Sequence, residues 1–150
     1  MGLDTSATKS IFFIAAVIVA VTLAGIFTTI TYKLSSDIGI RSDIVSSVLK
    51  SDITIINDPE SVPYNSTTEE LIIYVKNTGK NILYTSKVTI IIDGLVIPDS
   101  NITATIMGGE ENWSPGTVVE FHIYVSLSSG DHKVKVVLDN GVSDEMYFRI

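Results

Sequence analysis

The chain contains no cysteine. Disulfide bonds, thiolate metal ligands and a cysteine nucleophile are therefore all excluded, and an extracellular domain in this chain has to be held by its core alone. Charged residues make up only 18 % of the sequence, and the formal net charge is −7. Because nucleic-acid binding and attachment to anionic lipid both depend on clustered lysine and arginine, this composition argues against each of them.

Catalytic patterns are also missing. The two histidines, His122 and His132, have the spacing neither of metal ligands nor of a catalytic triad, and both are predicted to lie at the surface. The carboxylate pairs at 69–70 and 110–111 are interpreted as solvated loop charges, because the alternating oxygen ligands of a calcium loop do not accompany them. With no phosphate-binding loop and no nucleophile elbow, we expect no enzyme activity, no cofactor and no small-molecule substrate.

One long apolar segment near the amino terminus dominates the sequence. Residues 11–32 read IFFIAAVIVAVTLAGIFTTITY and hold no charged side chain. A helix of about 20 apolar residues spans the core of a bilayer, and Lys9 and Lys33 flank this run as interfacial anchors. The alternative is a cleaved secretory signal, but its apolar region is usually only about 7–15 residues long. We therefore predict a short cytoplasmic amino terminus at 1–10 and a transmembrane helix at 11–32.

Small side chains recur at every fourth position of that helix, at Ala16, Ala20, Ala24 and Thr28. Lipid supplies no hydrophobic drive between helices, so close approach through small residues is a main source of their association. The alternative is that alanine is simply common in such helices. The stripe is predicted to be a helix-packing face through which the protein forms a homo-oligomer.

An amphipathic pattern follows at 33–51, although Gly39 weakens a helix there by about 1 kcal/mol relative to alanine. The alternative is an irregular linker, but the apolar spacing favours a helical stalk. An apolar seam of this length cannot cover itself, so it is predicted to pack on another copy or on the following domain. The seam residues are Leu34, Ile38, Val45 and Val48.

From residue 52 onward the pattern becomes that of β-strands, separated by turn signals such as Asp93-Gly94 and Asn140-Gly141 and by a polar loop at 57–70. Residues 117–127 alternate between apolar and polar side chains, as expected for a sheet with one buried face. We predict seven or eight strands. Strand-like runs lie at 53–56, 71–76, 82–85, 87–93, 95–97, 102–107, 117–127, 133–139 and 146–150.

These strands predict an immunoglobulin-like antiparallel sandwich of two sheets at 52–150. Trp113 precedes a strand, and core packing is favoured over ligand binding as its role. Residues 52–150 alone are predicted to be a soluble monomer or weak dimer, with the helix needed for higher assembly. The candidates for protecting exposed strand edges against pairing are Pro59, Pro63, Lys133 and Lys135.

Three Asn-x-Ser/Thr sequons lie in predicted loops after the membrane helix, at Asn65, Asn101 and Asn112. Such sequons are possible N-glycosylation sites in external domains. Because the charges beside the helix leave its orientation open, the sequons decide the prediction, with the amino terminus inside and the sandwich outside the cell.

Four segments carry a resemblance to a known family over nearly the whole chain. They are SATKSIFFIAAVIVAVTLAGIF at 6–27, the Asn-Thr-Gly turn at 77–79, SPGTVVEFHI at 114–123 and LDNGVSDEMYF at 138–148. They resemble the FlaG-type accessory proteins of the archaellum, the archaeal swimming motor. The neighbouring FlaF type shares the type IV pilin-like plan of helix, stalk and sandwich.

The resemblance implies a static part of the motor, or stator, that serves swimming motility. Such proteins lie in the cell envelope, associate with their own kind and with a FlaF-type partner, and link the motor to the S-layer protein. The implied localisation is the cytoplasmic membrane, single-pass, with the carboxy-terminal domain in the pseudo-periplasm. The alternatives are a minor type IV pilin-like filament subunit, although a pre-archaellin cleavage site is missing, and a surface adhesin or binding module.

Overall fold

The computed structural model describes residues 2–150, with side chains from residue 5 onward. It contains two compact units, Met1–Asp43 and Ile44–Ile150. One helix, α1 (Gly2–Lys50), makes up the described part of the first unit and contributes about two turns to the second. The remainder of the second unit consists of strands and their connections.

Helix α1 is continuous through the predicted transmembrane and stalk segments. The stalk is therefore helical, as predicted, and the alternative of an irregular linker is wrong. All four prolines lie after residue 58, which leaves the helix without a breaker. Within Thr5–Lys50 the helix is long and apolar enough, by length and composition, to cross a membrane. Its threonines satisfy their own hydroxyl groups, as Thr22 and Thr28 each donate to the carbonyl oxygen four residues earlier at 2.8 Å.

Nine antiparallel strands in two sheets follow the helix. Sheet 1 has the order β1-β3-β7-β6, with β2 also paired to β3, and sheet 2 has the order β5-β4-β8-β9. The strands are β1 (Ile53–Ile55), β2 (Tyr64–Asn65), β3 (Glu70–Asn77), β4 (Thr89–Ile92), β5 (Leu95–Val96), β6 (Ile102–Ile106), β7 (Val118–Tyr124), β8 (Asp131–Val137) and β9 (Ser143–Arg149). The predicted fold class, an apolar amino-terminal helix followed by an antiparallel sandwich, is confirmed.

The core lies between the two sheets and follows the period of two read from the sequence. In β7, Val119, Phe121 and Ile123 are buried, and the alternate residues face outward. Trp113 is fully buried, meets the Phe121 ring edge-on at 6.0 Å, and donates its indole N–H to the Thr117 carbonyl at 3.1 Å. The prediction that Trp113 is a core residue is therefore confirmed.

Both predicted hairpin turns are present. Asp93 and Gly94 have φ angles of 50° and 83° and close the β4–β5 hairpin, as expected of a two-residue turn that needs positive φ at both positions. Asn140 and Gly141 lie in the β8–β9 connection, where the Gly141 N–H donates to the Leu138 carbonyl at 3.0 Å.

Two sequence predictions about the strands are wrong. The run 82–85 is not a strand: Leu83 makes one isolated bridge to Trp113, and a 3-10 turn at Thr85–Lys87 then redirects the chain from sheet 1 to sheet 2. The strand count is nine rather than seven or eight. One reason is that Tyr64–Asn65, inside the predicted 57–70 loop, pairs with the start of β3.

Candidate interaction surfaces and the helix clamp

The two apolar surfaces predicted on α1 are uncovered in the single chain. The small stripe at Ala16, Ala20, Ala24 and Thr28 is exposed, and so are Leu34, Ile38 and Val45 of the stalk seam. Within the sandwich unit it is Ser46 and Ser47 that are partly buried, whereas Val48 remains 37 % exposed. Val45 and Val48 are therefore left available to another chain rather than covered by their own domain.

The end of α1 is held by a loop of sheet 1, which we call the helix clamp and define as residues 77–81. Helix ends leave their last carbonyl groups without helical partners. Here the Lys50 carbonyl accepts the backbone N–H groups of Lys80 at 2.7 Å and Asn81 at 3.3 Å. The Ser47 carbonyl accepts the Asn81 side-chain amide at 3.2 Å. The clamp therefore supplies the partners of the Lys50 carbonyl and adds one to the Ser47 carbonyl, which also accepts the Ser51 N–H at 3.1 Å.

Asn77 shapes this loop from inside the core, where it is completely buried. Its amide donates to the carbonyl oxygens of Asn81 at 2.8 Å and Trp113 at 2.9 Å, and its side-chain oxygen accepts the Gly79 N–H at 3.0 Å. The side chain thus uses both amide N–H donors and one of the two lone pairs of its oxygen, so neither of its polar atoms is buried without a partner. The clamp is tied to the Trp113 core through this residue.

Gly79 marks the closest approach between the clamp and the chain that leaves the helix. A Cβ at this position would lie 2.5 Å from the Asp52 nitrogen and 2.6 Å from the Lys50 carbonyl oxygen, both backbone atoms. The glycine also donates its N–H to the Asp52 carbonyl at 3.1 Å. Only a residue without a side chain fits here, and Gly79 is the residue that completes the predicted Asn-Thr-Gly turn.

The three sequon asparagines, Asn65, Asn101 and Asn112, are all exposed, and whether they carry glycans stays a prediction. Asn65 accepts the Thr67 N–H at 2.9 Å in an Asx turn. The Asn101 amide donates to the Tyr124 carbonyl at 3.2 Å, and a glycan there would replace one of its two amide hydrogens and leave one for this bond.

The outer face of sheet 2 carries the charged side chains that were expected to protect a strand edge. Lys133 lies 2.8 Å from Glu145 and over the Tyr147 ring, and Lys135 lies 3.9 Å from the same carboxylate. The edge-protecting role predicted for the two lysines is wrong, because β8 is an inner strand between β4 and β9. The Pro59 carbonyl does accept the Arg149 N–H at 3.3 Å and so covers the end of edge strand β9.

The outer face of sheet 1 has a smaller polar network around His122. Its Nδ1 lies 2.8 Å from Glu70, and its Nε2 lies 3.7 Å from Glu120. Tyr74 donates its hydroxyl to Glu120 at 3.1 Å, which together with burial raises the pKa of this tyrosine. His122 is thus at the surface as predicted, but it is paired and partly covered.

The prediction that His132 lies at the surface is wrong. Its side chain is 8 % exposed and contacts two acceptors, the Asp93 carboxylate at 2.6 Å and the Ser128 carbonyl at 2.7 Å. A neutral imidazole has one N–H donor and an imidazolium has two, so this site favours the charged ring. Position 132 is in phase with the buried Val134 and Val136 of β8, and this was the sequence signal for its burial.

We expect the free energy of unfolding to fall as the pH rises above about 6.5. The hydrogen bonds to Asp93 and then to Ser128 raise the pKa of His132 against the effect of burial, with Asp131 adding a smaller raising effect. Burial raises the pKa of Asp93, but the hydrogen bonds from His132 and Lys133 outweigh it and lower the pKa overall. A histidine whose pKa is raised by folding stabilises the protein fully below the pKa of the unfolded chain, and this stabilisation is lost as the pH rises through the pKa of the folded protein. The stabilisation from Asp93, whose pKa is lowered, is lost instead as the pH falls into the acid range.

Denaturant unfolding between pH 4 and about 9, followed by the fluorescence of the single tryptophan, measures this dependence. The fall above about pH 6.5 should disappear in His132→Gln, which should also cost about 1–3 kcal/mol near pH 6. The control is His122→Gln, which should keep the fall. An unchanged profile in His132→Gln would contradict the assignment.

Among residues 5–150, no group of three or more histidine, aspartate or glutamate side chains is placed to hold a metal ion. An apolar amino-terminal helix followed by an antiparallel sandwich is the plan of type IV pilin-like proteins. The sequence matches the archaeal-type flagellin family over residues 4–148, and the chain belongs to that family.

Two curated relatives indicate which kind of protein within this family the chain resembles. The chain is 34 % identical over 142 residues to flagella-related protein G of Methanocaldococcus jannaschii, covering 93 % of this chain and 92 % of that protein. It is also 34 % identical over 138 residues to flagella-related protein G of Methanococcus voltae, covering 89 % of each. The resemblance to FlaG-type archaellum proteins is confirmed.

A solved structure supports the same fold. The archaellum periplasmic stator protein FlaG from Sulfolobus acidocaldarius aligns with a TM-score of 0.51 and 21 % identity, over 65 % of this chain and 99 % of that one. The archaellum periplasmic stator protein complex of FlaF and FlaG from the same organism aligns with a TM-score of 0.46 and 21 % identity, over 65 % of this chain and 88 % of that one.

Proposed function

We propose that this archaellum-associated protein is a static, non-enzymatic part of the motor, anchored in the cytoplasmic membrane by residues 11–32 with the sandwich outside the cell. The observation that carries the proposal is the combination of an uncovered apolar helix with a clamped end in a chain of the flagellin family. A stator has to resist torque. The helix clamp holds the last turn of α1 through backbone hydrogen bonds instead of leaving it on a flexible linker.

Self-association through α1 is the second part of the proposal. The stripe at Ala16, Ala20, Ala24 and Thr28 permits close helix approach in lipid, and the seam at Leu34, Ile38, Val45 and Val48 continues an apolar surface beyond it. Burying such a seam contributes on the order of 5–10 kcal/mol before ordering costs. The resemblance to FlaG-type proteins adds a FlaF-type partner and the S-layer protein as the further contacts of the sandwich.

A minor pilin-like filament subunit is the second candidate. It is favoured by the match to a family that takes its description from flagellin. The two candidates differ in location, because a filament subunit would be found along sheared surface filaments and a stator component would stay with the envelope.

Replacing Ala20 and Ala24 together by leucine should abolish cross-linked oligomers of the full-length protein and stop swimming, because the larger side chains separate the helix backbones. The matched control is Thr22→Leu with Thr29→Leu. These positions lie on the opposite face of α1, and their hydroxyls bond only to their own helix. The control should keep both oligomers and swimming. Oligomers that survive unchanged in the Ala20→Leu, Ala24→Leu protein would show that the stripe only contacts lipid.

A further inference from the structure

Strand β6 forms an edge of sheet 1, and within residues 2–150 no strand pairs with its outer side. Edge strands are normally kept from pairing by shortness, charge, proline or a cover. In this sandwich β1 and β5 are short, and β9 is approached by Ile55, whose N–H donates to Asp144 at 2.8 Å. Strand β6 has five residues, ITATI, with no charge and no proline.

The alternation of hydrogen bonds along β6 shows which of its backbone N–H and carbonyl groups point away from β7. The Met107 N–H donates to the Val118 carbonyl at 2.9 Å, so by the alternation of an antiparallel ladder Thr105 and Thr103 also bond to β7. The intervening residues direct their backbone groups away from β7, except that the Ile102 N–H is taken by Asp99. The outward groups are the N–H of Ala104 and Ile106 and the carbonyls of Ile102, Ala104 and Ile106.

The sequence of β6 reads the same in both directions. Two copies that pair antiparallel around a two-fold axis at Ala104 place Ala104 opposite itself, Ile102 opposite Ile106 and Thr103 opposite Thr105. This register uses the free groups, with Ala104 and Ile106 of each copy donating to Ala104 and Ile102 of the other. We propose that β6 is a self-pairing edge whose occupant is β6 of a second copy of this chain, which joins the two sheets 1 into one.

The inner side of the strand fits this occupant. Ile102 and Ala104 are only half-buried and border a cleft of about 380 Å³, which Val88 and Phe121 also line. Ile106 of the second copy would lie beside Ile102 on this inner face and cover the mouth of the cleft. On the outer face the pairing brings threonine against threonine, a favourable cross-strand pair.

In this register the side chains next to β6 do not bring like charges together. In β7, Glu120 lies beside Thr105 and His122 lies beside Thr103. The joined sheet therefore has rows that run from Glu120 of one copy, through two threonines, to His122 of the second copy. Acidic and imidazole side chains share a row, and like charges do not face one another.

The area of the contact sets its strength. Five paired residues cover far less than the roughly 1,200 Å² at which stable interfaces begin, so the pairing is weak in dilute solution. Copies held in one membrane by α1 meet at a much higher effective concentration, which favours it. This agrees with the prediction of a monomer or weak dimer for residues 52–150.

Cysteine cross-linking of the full-length protein in membranes tests the register, because the chain has no cysteine of its own. Differently tagged Thr103→Cys and Thr105→Cys chains, co-expressed and oxidised, should form a mixed disulfide, because the two positions lie opposite each other in the proposed register. Its yield should be severalfold higher than that of the disulfide formed by either chain expressed alone, because two cysteines at the same position lie diagonally. The control is a cysteine at exposed Thr54 in β1, away from this edge. A mixed disulfide no stronger than the Thr54 cross-link would overturn the proposal, since association through α1 alone predicts that result.

A second variant removes the free donor. Ala104→Pro deletes an N–H that points away from β7, a position at which edge strands tolerate proline, and it should abolish the mixed disulfide. Tryptophan fluorescence reports whether this variant is folded. Thr105→Pro is the matched comparison, because it removes a hydrogen bond to β7 and should destabilise the sandwich itself. A folded Ala104→Pro protein that cross-links as before would refute self-pairing.

Discussion

Gly79→Ala is expected to lower the free energy of unfolding of the sandwich by roughly 2–3 kcal/mol and to impair swimming. The added Cβ would lie 2.5 Å from the Asp52 nitrogen and 2.6 Å from the Lys50 carbonyl oxygen. Both are backbone atoms, so relief requires the clamp to move away from the helix end. That movement would break the hydrogen bonds from Lys80 and Asn81 to the Lys50 carbonyl.

Denaturant unfolding of the full-length protein in detergent, followed by tryptophan fluorescence, measures the loss. Gly39→Ala is the matched control, because Gly39 lies in α1 with nothing within 4 Å of the added Cβ. That change should be neutral in the sandwich and strengthen the helix by about 1 kcal/mol. Equal unfolding curves for Gly79→Ala and the unchanged protein would show that the clamp has little role in stability.

Swimming adds a test of the mechanical role. In the proposed stator role, a loosened clamp should transmit less force even where the protein is still folded and present in the membrane fraction. Normal swimming in a strain whose Gly79→Ala protein is shown to be destabilised would separate the clamp from motor function.

Local patterns in the sequence predicted much of the fold. The uninterrupted apolar run predicted α1, the alternation at 117–127 predicted the buried face of β7, and Asp93-Gly94 predicted a hairpin turn. These features depend on residues that are neighbours in the chain, where backbone sterics and side-chain period decide the outcome. The burial of His132 could have been read the same way, from its phase with Val134 and Val136.

Features that depend on distant partners could not be predicted. The Asn-Thr-Gly turn at 77–79 was visible in the sequence, but its contact with the end of α1 joins segments about 30 residues apart. The order of strands in sheet 2 was equally hidden, and for that reason Lys133 and Lys135 were assigned to an edge although β8 is an inner strand. The free edge at β6 likewise became visible only once the order of sheet 1 was known.

Trp113→Ala is expected to cost about 3–5 kcal/mol, the range for removing a large buried aromatic side chain. Its indole is fully buried and edge-on to Phe121, so the change leaves a cavity at the centre of the sandwich and removes one of the two donors to the Thr117 carbonyl, which keeps the Asn77 N–H at 3.0 Å. The residue also links distant segments through its backbone, because its carbonyl accepts the Asn77 amide at 2.9 Å and the Leu83 N–H at 3.0 Å. A collapse around the cavity would therefore disturb the clamp as well.

Urea unfolding followed by far-ultraviolet circular dichroism of the β-sheet signal measures this loss, since the fluorescent probe is removed with the side chain. Tyr147→Ala is the control, an aromatic truncation at a position that is 66 % exposed, and it should cost less than about 1 kcal/mol. Trp113→Phe should recover part of the loss by refilling the apolar space without the N–H donor. If Trp113→Ala unfolded at the same urea concentration as Tyr147→Ala, Trp113 would not be the centre of the core. The presence of a tryptophan in the middle of the Asn112 sequon would then need an explanation other than core packing.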